Sequence, residues 1–315
     1  MSTVEIQSNT RRKKKGFFRR VYDQRQLFIL TVPFLLLVFV FNYLPIWGWL
    51  MAFQNYNPAK GIKGSKWLGF DNFAEAFADR NFHNAIINTL SISVLRIILG
   101  FTTAILLALL LNEVRSILFK RVVQTISYLP YFISWVVASS IVYMTLSSTG
   151  IVNTLLVNAG LVEKSIPFMG EPKYFYGIVG ISHVWKNVGW NAIIYLAAMT
   201  GIDQELYEAA AVDGAGRLRR IFAITLPGIL PTIKILLVLA IGTLMSASFE
   251  HIYLLSNPSN ISASRTIEVY VYVYAMRGGR FSYGTAIGIF NSTVAISLIM
   301  ISNWISKRID GYGIF

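Results

Sequence analysis

The chain has no cysteine, so neither disulfides nor thiolate metal centres are available to it. It is also short of charge. Asp, Glu, Lys and Arg make up 14% of its 315 residues, while 55% are apolar and the mean hydropathy is +0.55. Soluble domains carry roughly a quarter charged residues. Charge is missing altogether from 26–59, 122–162 and 281–306. The fifteen acidic residues are scattered, which leaves no constellation of metal-binding carboxylates. No Gly-x-x-x-x-Gly-Lys-Ser/Thr loop occurs, so phosphate binding of that kind is excluded. No internal repeat is visible. These absences describe a polytopic membrane protein rather than a soluble enzyme.

What is present fits that class. A spanning helix needs about 20 apolar residues, and six runs qualify, near 27–53, 86–111, 122–146, 174–199, 228–255 and 283–304. The first follows a basic segment, 1–25, but is too long for a signal core and lacks a small-residue cleavage site, so it reads as a retained span. The net charge of +13 is unevenly placed. If the N-terminus and, after six spans, the C-terminal tail 307–315 are cytoplasmic, seventeen basic residues fall inside and nine outside. This follows the positive-inside rule, and anionic lipid, not nucleic acid, is the expected partner of the tail. Within the tail, Phe17 to Tyr22 has the pattern of a short interfacial helix. Pro33 and Pro45 predict a tilted or kinked first span. Residues 151–161 read as a short helix, and 267–274 as a helix in spite of strand-like alternation, because a lone strand at a membrane surface leaves unpaired edges.

Between the fourth and fifth spans lies a polar island, 201–227. Gly201, Ile202 and Asp203 supply a break and an N-cap, and residues 204–214 read as one short helix. Ala209, Ala210 and Ala211 give it a smooth surface that a partner protein can approach closely. Gly214 and Gly216 permit a reversal, 217–224 reads as a second helix, and Pro227 marks re-entry into the fifth span. A helix–turn–helix of this kind suits insertion into a groove on a rigid partner. An ordinary loop whose alanines merely favour helix is the plainer alternative.

The spacing of Glu208, Ala209, Ala210, Gly214, Ile224, Leu226 and Pro227 resembles the EAA loop of permease subunits of bacterial ATP-binding-cassette importers. Outside the loop, Trp67 to Phe73, Ser127 to Pro130, Trp185 to Asn191 and Leu254 to Pro258 look like the maltose-permease-like branch, in its complex-oligosaccharide subgroup. The resemblance runs from about residue 20 to the end. It implies an all-α fold of the type I importer kind, with six transmembrane helices in 26–306 and a bacterial inner-membrane location. Glu208, Ala209, Ala210, Asp213, Gly214 and Gly216 would then form the coupling surface for an ATPase subunit. The implied partners are a second homologous permease, two copies of the ATPase and an extracellular solute-binding protein. No cofactor is expected on this chain, and ATP and Mg are expected on the ATPase.

Sugars need flat apolar faces and polar groups for their hydroxyls. The candidates for a substrate path are Trp185, Lys186, Asn187, Trp190, Asn191, Glu250, His251, Tyr253 and Asn291, with Arg96 and His183 as further intramembrane ionisable groups. Lys186 and Trp190 are four apart, as are Asn187 and Asn191, so they line adjacent stripes of one helix. The competing readings are an interfacial aromatic belt, lysine and histidine reaching for headgroups, Glu250 and His251 capping the fifth span, and Arg96 pairing with a neighbouring subunit. Lys66, Lys186, Arg265, Arg277 and Arg280 would suit an acidic oligosaccharide such as a uronide. Two further functions fit the composition: an ATP-independent carrier or channel, and a membrane-embedded glycosyltransferase.

Overall fold

The computed structural model describes residues 23–310, with side chains described to 308. The basic tail with Arg11, Arg12, Lys13, Lys14, Lys15, Arg19 and Arg20, the interfacial helix expected at 17–22, and 311–315 lie outside the described residues. The chain divides into a unit ending at Leu50 and a unit beginning at Met51.

In the first unit, α1 (Arg25–Val38) contains Pro33 without breaking. The departure from α geometry comes later, as a π turn at Phe39–Tyr43 and a 3-10 stretch, Leu44–Phe53, that contains Pro45. Proline lacks the N–H that an α-helix would use there. No residue of α1 or of the π turn is buried, and Leu, Ile, Val and Phe cover the surface. That surface suits lipid.

The second unit is built on two long helices, α2 (Arg80–Glu113) and α5 (Pro172–Thr200), packed side by side. They run in the same direction: Tyr176 bonds Asn88, His183 bonds Arg96, and Tyr195 meets Phe101. Ala104 and Ala108 let α5 approach where Ala192, Tyr195 and Met199 pack. Between them in sequence come α3 (Ile117–Tyr128) and α4 (Trp135–Leu146), then a short helix, Ile151–Asn158. After α5 follow α6 (Gln204–Val212), a helical segment Arg217–Arg220 that runs on through a π turn into α7 (Leu226–Gly242), α8 (Phe249–Leu255) and α9 (Phe281–Asp310). The stretch 217–224 is therefore the start of one helix through Pro227, and not the separate second helix expected there. Residues 267–276 are helical, as expected. A two-residue antiparallel pairing of Gln54–Asn55 with Lys66–Trp67 is the departure from an all-helical fold.

Among the described residues, five helices are long and apolar enough to cross a membrane: Arg25–Phe53, Arg80–Glu113, Trp135–Asn158, Arg217–Gly242 and Phe281–Arg308. α5 is 29 residues long but more polar, since it carries His183, Lys186, Asn187 and Asn191. Two expected spans are corrected. The run 122–146 is not one helix: α3 ends in a 3-10 turn, Leu129–Phe132, and Ser134 N-caps α4 by accepting from Val137 N at 3.3 Å. The run 228–255 is interrupted at 243–248, where Ser248 adopts a left-handed φ of 64°. Hydropathy averages over such breaks and does not register them.

At the end of the bundle away from Thr200, Asp79 N-caps α2 by accepting from Asn81 N at 2.8 Å. It also accepts from the hydroxyls of Tyr270 and Tyr283. Burial alone would raise its carboxyl pKa, but the Tyr270, Asn81 and Tyr283 hydrogen bonds outweigh that and hold it below the usual range. Arg280 pairs with Glu75 beside this cluster.

Candidate functional site

The loop between α5 and α7 stands out from the bundle. Asp203 caps α6 by accepting from Glu205 N at 3.0 Å. The helix closes with Ala215 N on Ala210 O at 2.8 Å and Gly214 N on Ala211 O at 3.1 Å, with Gly214 at φ +75°. That is the Schellman pattern, in which a glycine takes the left-handed position. Gly216, at φ −66°, is instead the N-cap of Arg217–Arg220. Glu208, Ala209, Asp213, Gly214 and Gly216 are exposed and Ala210 is half-buried. Tyr207 ties the loop back to the bundle through a 2.9 Å bond to Thr225, which is buried. The exposed face also carries Leu206, Leu218 and Val212, the last 88% exposed. These larger apolar side chains stand beside the alanines on the loop's exposed surface.

The two interrupted spans both face α5. At the first, Lys186 is 5% exposed, and its Nζ donates to Tyr131 O at 2.8 Å and to Pro130 O at 3.5 Å. It also lies over the rings of Tyr131 and Trp135. Lys186 therefore supplies the donors that the broken helix lacks, and does not reach for headgroups. Trp190 stacks on Tyr131 with centroids 4.4 Å apart, and Gly189 lets α5 approach Ser127 O closely.

At the second break the arrangement is open. Thr243 and Ser246 line a cavity of about 220 Å³ with Ser93, Arg96, His183, Asn191 and Tyr195. Irregular backbone at membrane depth is tolerated where it lines a cavity or is buried in protein. Arg96 Nε donates to His183 Nδ1 at 3.3 Å, and Asn187 Nδ2 donates to the same atom at 3.2 Å. Two donors on Nδ1 place the imidazole proton on Nε2. Ser246 donates to Glu268 at 2.7 Å.

The expected path residues are thus divided. Asn191 lines the cavity and Asn187 buttresses it. Trp185 points elsewhere, into an apolar groove of about 630 Å³ between α4, α5 and Ile151–Asn158. His251 is 0% exposed, sealed under the Trp135 ring with its Nε2 on Ser182 Oγ at 2.9 Å. Glu250 is exposed in the first turn of α8. Tyr253 joins an aromatic group with Phe249 and Tyr272. Asn291, on α9, is half-buried, and its Oδ1 has no partner among the described residues. Ser93, Thr243 and Ser246 were not foreseen. The signal was present on α2, where Ser93, Arg96, Ile97 and Gly100 fall at i, i+3, i+4 and i+7 and Arg96 is the sole charge between Arg80 and Glu113.

A bundle with interrupted spans around a polar cavity, and one exposed helical loop, is a multi-pass transport component. Residues 84–311 match the family of binding-protein-dependent transport system inner membrane components, and the chain belongs to that family. It is 41% identical to Protein LplB of Bacillus subtilis (strain 168), over 92% of this chain and 91% of that one. It is 40% identical to the polygalacturonan/rhamnogalacturonan transport system permease protein YteP of the same organism, over 100% of both. Among solved structures it resembles a chain of a bacterial transporter involved in import of the acidic polysaccharide alginate, with 39% identity, a TM-score of 0.87, and coverage of 94% of this chain and 100% of that one. The chain is a subunit of a transporter that depends on a binding protein, and not an enzyme. The glycosyltransferase and stand-alone carrier alternatives fall with that assignment.

Proposed function

We propose that this chain is one of two homologous membrane subunits of an importer that carries acidic oligosaccharides inward, with both termini cytoplasmic. ATP hydrolysis occurs on a separate pair of ATPase subunits, one of which is seated on the loop 201–227. The observation that carries the coupling role is the exposed α6 plug, closed by Gly214 and faced with Ala209, Leu206 and Val212. An amphipathic helix with small and apolar anchors suits a groove on a folded partner. The acidic character of the cargo is supported by the relatives that carry polygalacturonan and alginate. It is supported further by Arg96 in a cavity whose lining contains no acidic residue.

Purification on a tag carried by this chain should bring along a second permease and two ATPase copies. An active homodimer of this chain would overturn the two-permease arrangement. In the same preparation, oligouronides presented with the binding protein should stimulate ATPase activity and be taken up. Stimulation by neutral oligosaccharides alone would overturn the acidic reading.

A further inference from the structure

We propose that Arg96 reads the carboxylate of the passing sugar, in the cavity opened by the break at 243–248. The inference rests on the acidic-cargo reading above and deepens it.

Arg96 is held by one side. Its Nε is engaged by His183, which is fixed in turn by Asn187 donating to the same nitrogen. No hydrogen bond occupies the two terminal nitrogens among the described residues, and no carboxylate lies within ion-pairing distance. A guanidinium clamped at Nε presents its remaining N–H groups as a rigid fork, which matches the two oxygens of a carboxylate. Glu268 is the acidic group that acts on it through space; its Oε1 accepts from Ser246 on the broken helix, and its Oε2 is buried without a hydrogen bond among the described residues.

The rest of the wall suits one sugar ring. Ser93 Oγ is buried without a partner, and Asn191, Thr243 and Ser246 offer further polar groups. Phe101, Ile97 and Ile194 supply apolar surface for a C–H face. A charge this deep in a membrane protein is costly unless something pairs with it. Here the hydrogen-bonded partner is a histidine and Glu268 stays beyond ion-pairing distance, so an arriving carboxylate gains a direct ionic contact that no group of the described residues makes. The contact is single and the cavity small, which favours passage over capture.

The test uses the whole transporter in its host membrane. Uptake is measured for an oligouronide and for the same oligosaccharide with its carboxyls reduced to alcohols, and the ratio of the two KM values is compared across wild type, Arg96→Gln and Arg96→Lys. The binding protein's own preference is common to all three and cancels. Arg96→Gln is expected to shift the ratio against the acid by roughly ten- to hundredfold, the loss expected when a hydrogen-bonded ionic contact is removed. Arg96→Lys keeps the charge and loses the fork, and should shift it several-fold. An unchanged ratio in Arg96→Gln, with acid uptake still measurable, overturns the proposal. If Arg96→Gln fails to reach the membrane, Arg96→Lys decides, and a wild-type ratio there overturns it. If the wild type takes up only the reduced sugar, the acidic-cargo reading itself fails, an outcome seen without any variant.

Discussion

The two interrupted spans differ in what fills them. At 129–134 the freed carbonyls of Pro130 and Tyr131 receive the ammonium of Lys186, and Trp190 stacks over the turn. At 243–248 Thr243 donates to Ala240 O and Ser246 to Glu268, but no cation is bonded to the break among the described residues, and Arg96 faces a cavity with its fork unoccupied. Both breaks place a cation beside irregular backbone. One cation completes the protein's own hydrogen bonding, and the other is left for something that is not part of the chain. An intramembrane charge is therefore read by what its donors reach, not by its presence.

Perturbing the closed break should cost most. A Cβ on Gly189 would stand 2.1 Å from Ser127 O, so Gly189→Val forces α3 and α5 apart. Overpacking typically costs about 1–3 kcal/mol and occasionally more; against a fixed backbone carbonyl the upper end is expected, and thermal unfolding in detergent should show a fall in Tm or loss of folded protein. Lys186→Met strands the two carbonyls, at about 1–3 kcal/mol each. Its Tm should fall clearly while the acid-to-neutral uptake ratio stays put; a changed ratio with normal Tm would show that Lys186 belongs to the path after all.

The open break should behave in the opposite way. Arg96→Met removes a buried charge that has no ion pair among the described residues, and its effect on Tm should lie within about 1 kcal/mol of neutral or be stabilising. A large drop in Tm would erase the distinction between the two breaks. The loop 201–227, proposed to seat the ATPase, lies outside both. Gly214→Pro removes the left-handed turn at φ +75°, and Glu208→Lys reverses charge on the exposed face. Both should leave Tm nearly unchanged and abolish substrate-stimulated ATPase activity, and normal stimulation in either would falsify the docking assignment.

The smallest effect is expected at Asp79. Its carboxyl pKa is held low, so the stabilisation it contributes is present above the unfolded value and is lost as pH falls through the folded one. Asn caps a helix as well as Asp does, so Asp79→Asn should lose only the charge-assisted part of the Tyr270 and Tyr283 bonds, about 1 kcal/mol at neutral pH. Tm measured against pH should show the wild type converging on the variant only at acid pH.

The first half of the loop was legible because its determinants are local, whereas the second helix expected at 217–224 is the start of one continuous helix, Arg217–Gly242, that passes through Pro227. A cap at Asp203 and a glycine at the helix end act over a few positions of chain, and the structure places α6 within one or two residues of the expected helix. The cavity was only half legible. Asn191 and Arg96 were visible as polar groups in apolar runs, but His251 and Lys186 carried the same signal and proved to be internal fastenings. The breaks themselves were hidden, since neither 129–134 nor 243–248 interrupts the hydropathy of its run.

The sequence by itself determined that this is a many-spanning membrane chain with one exposed helical loop, because composition, charge-free length and cap spacing are properties of contiguous residues. The tertiary structure decided which cation is spent on the protein and which is left open. Arg96 and His183 are 87 positions apart, and Lys186 and Tyr131 are 55 apart. Whether a buried donor is satisfied depends on what packing brings within hydrogen-bond reach, and no local pattern carries that distance.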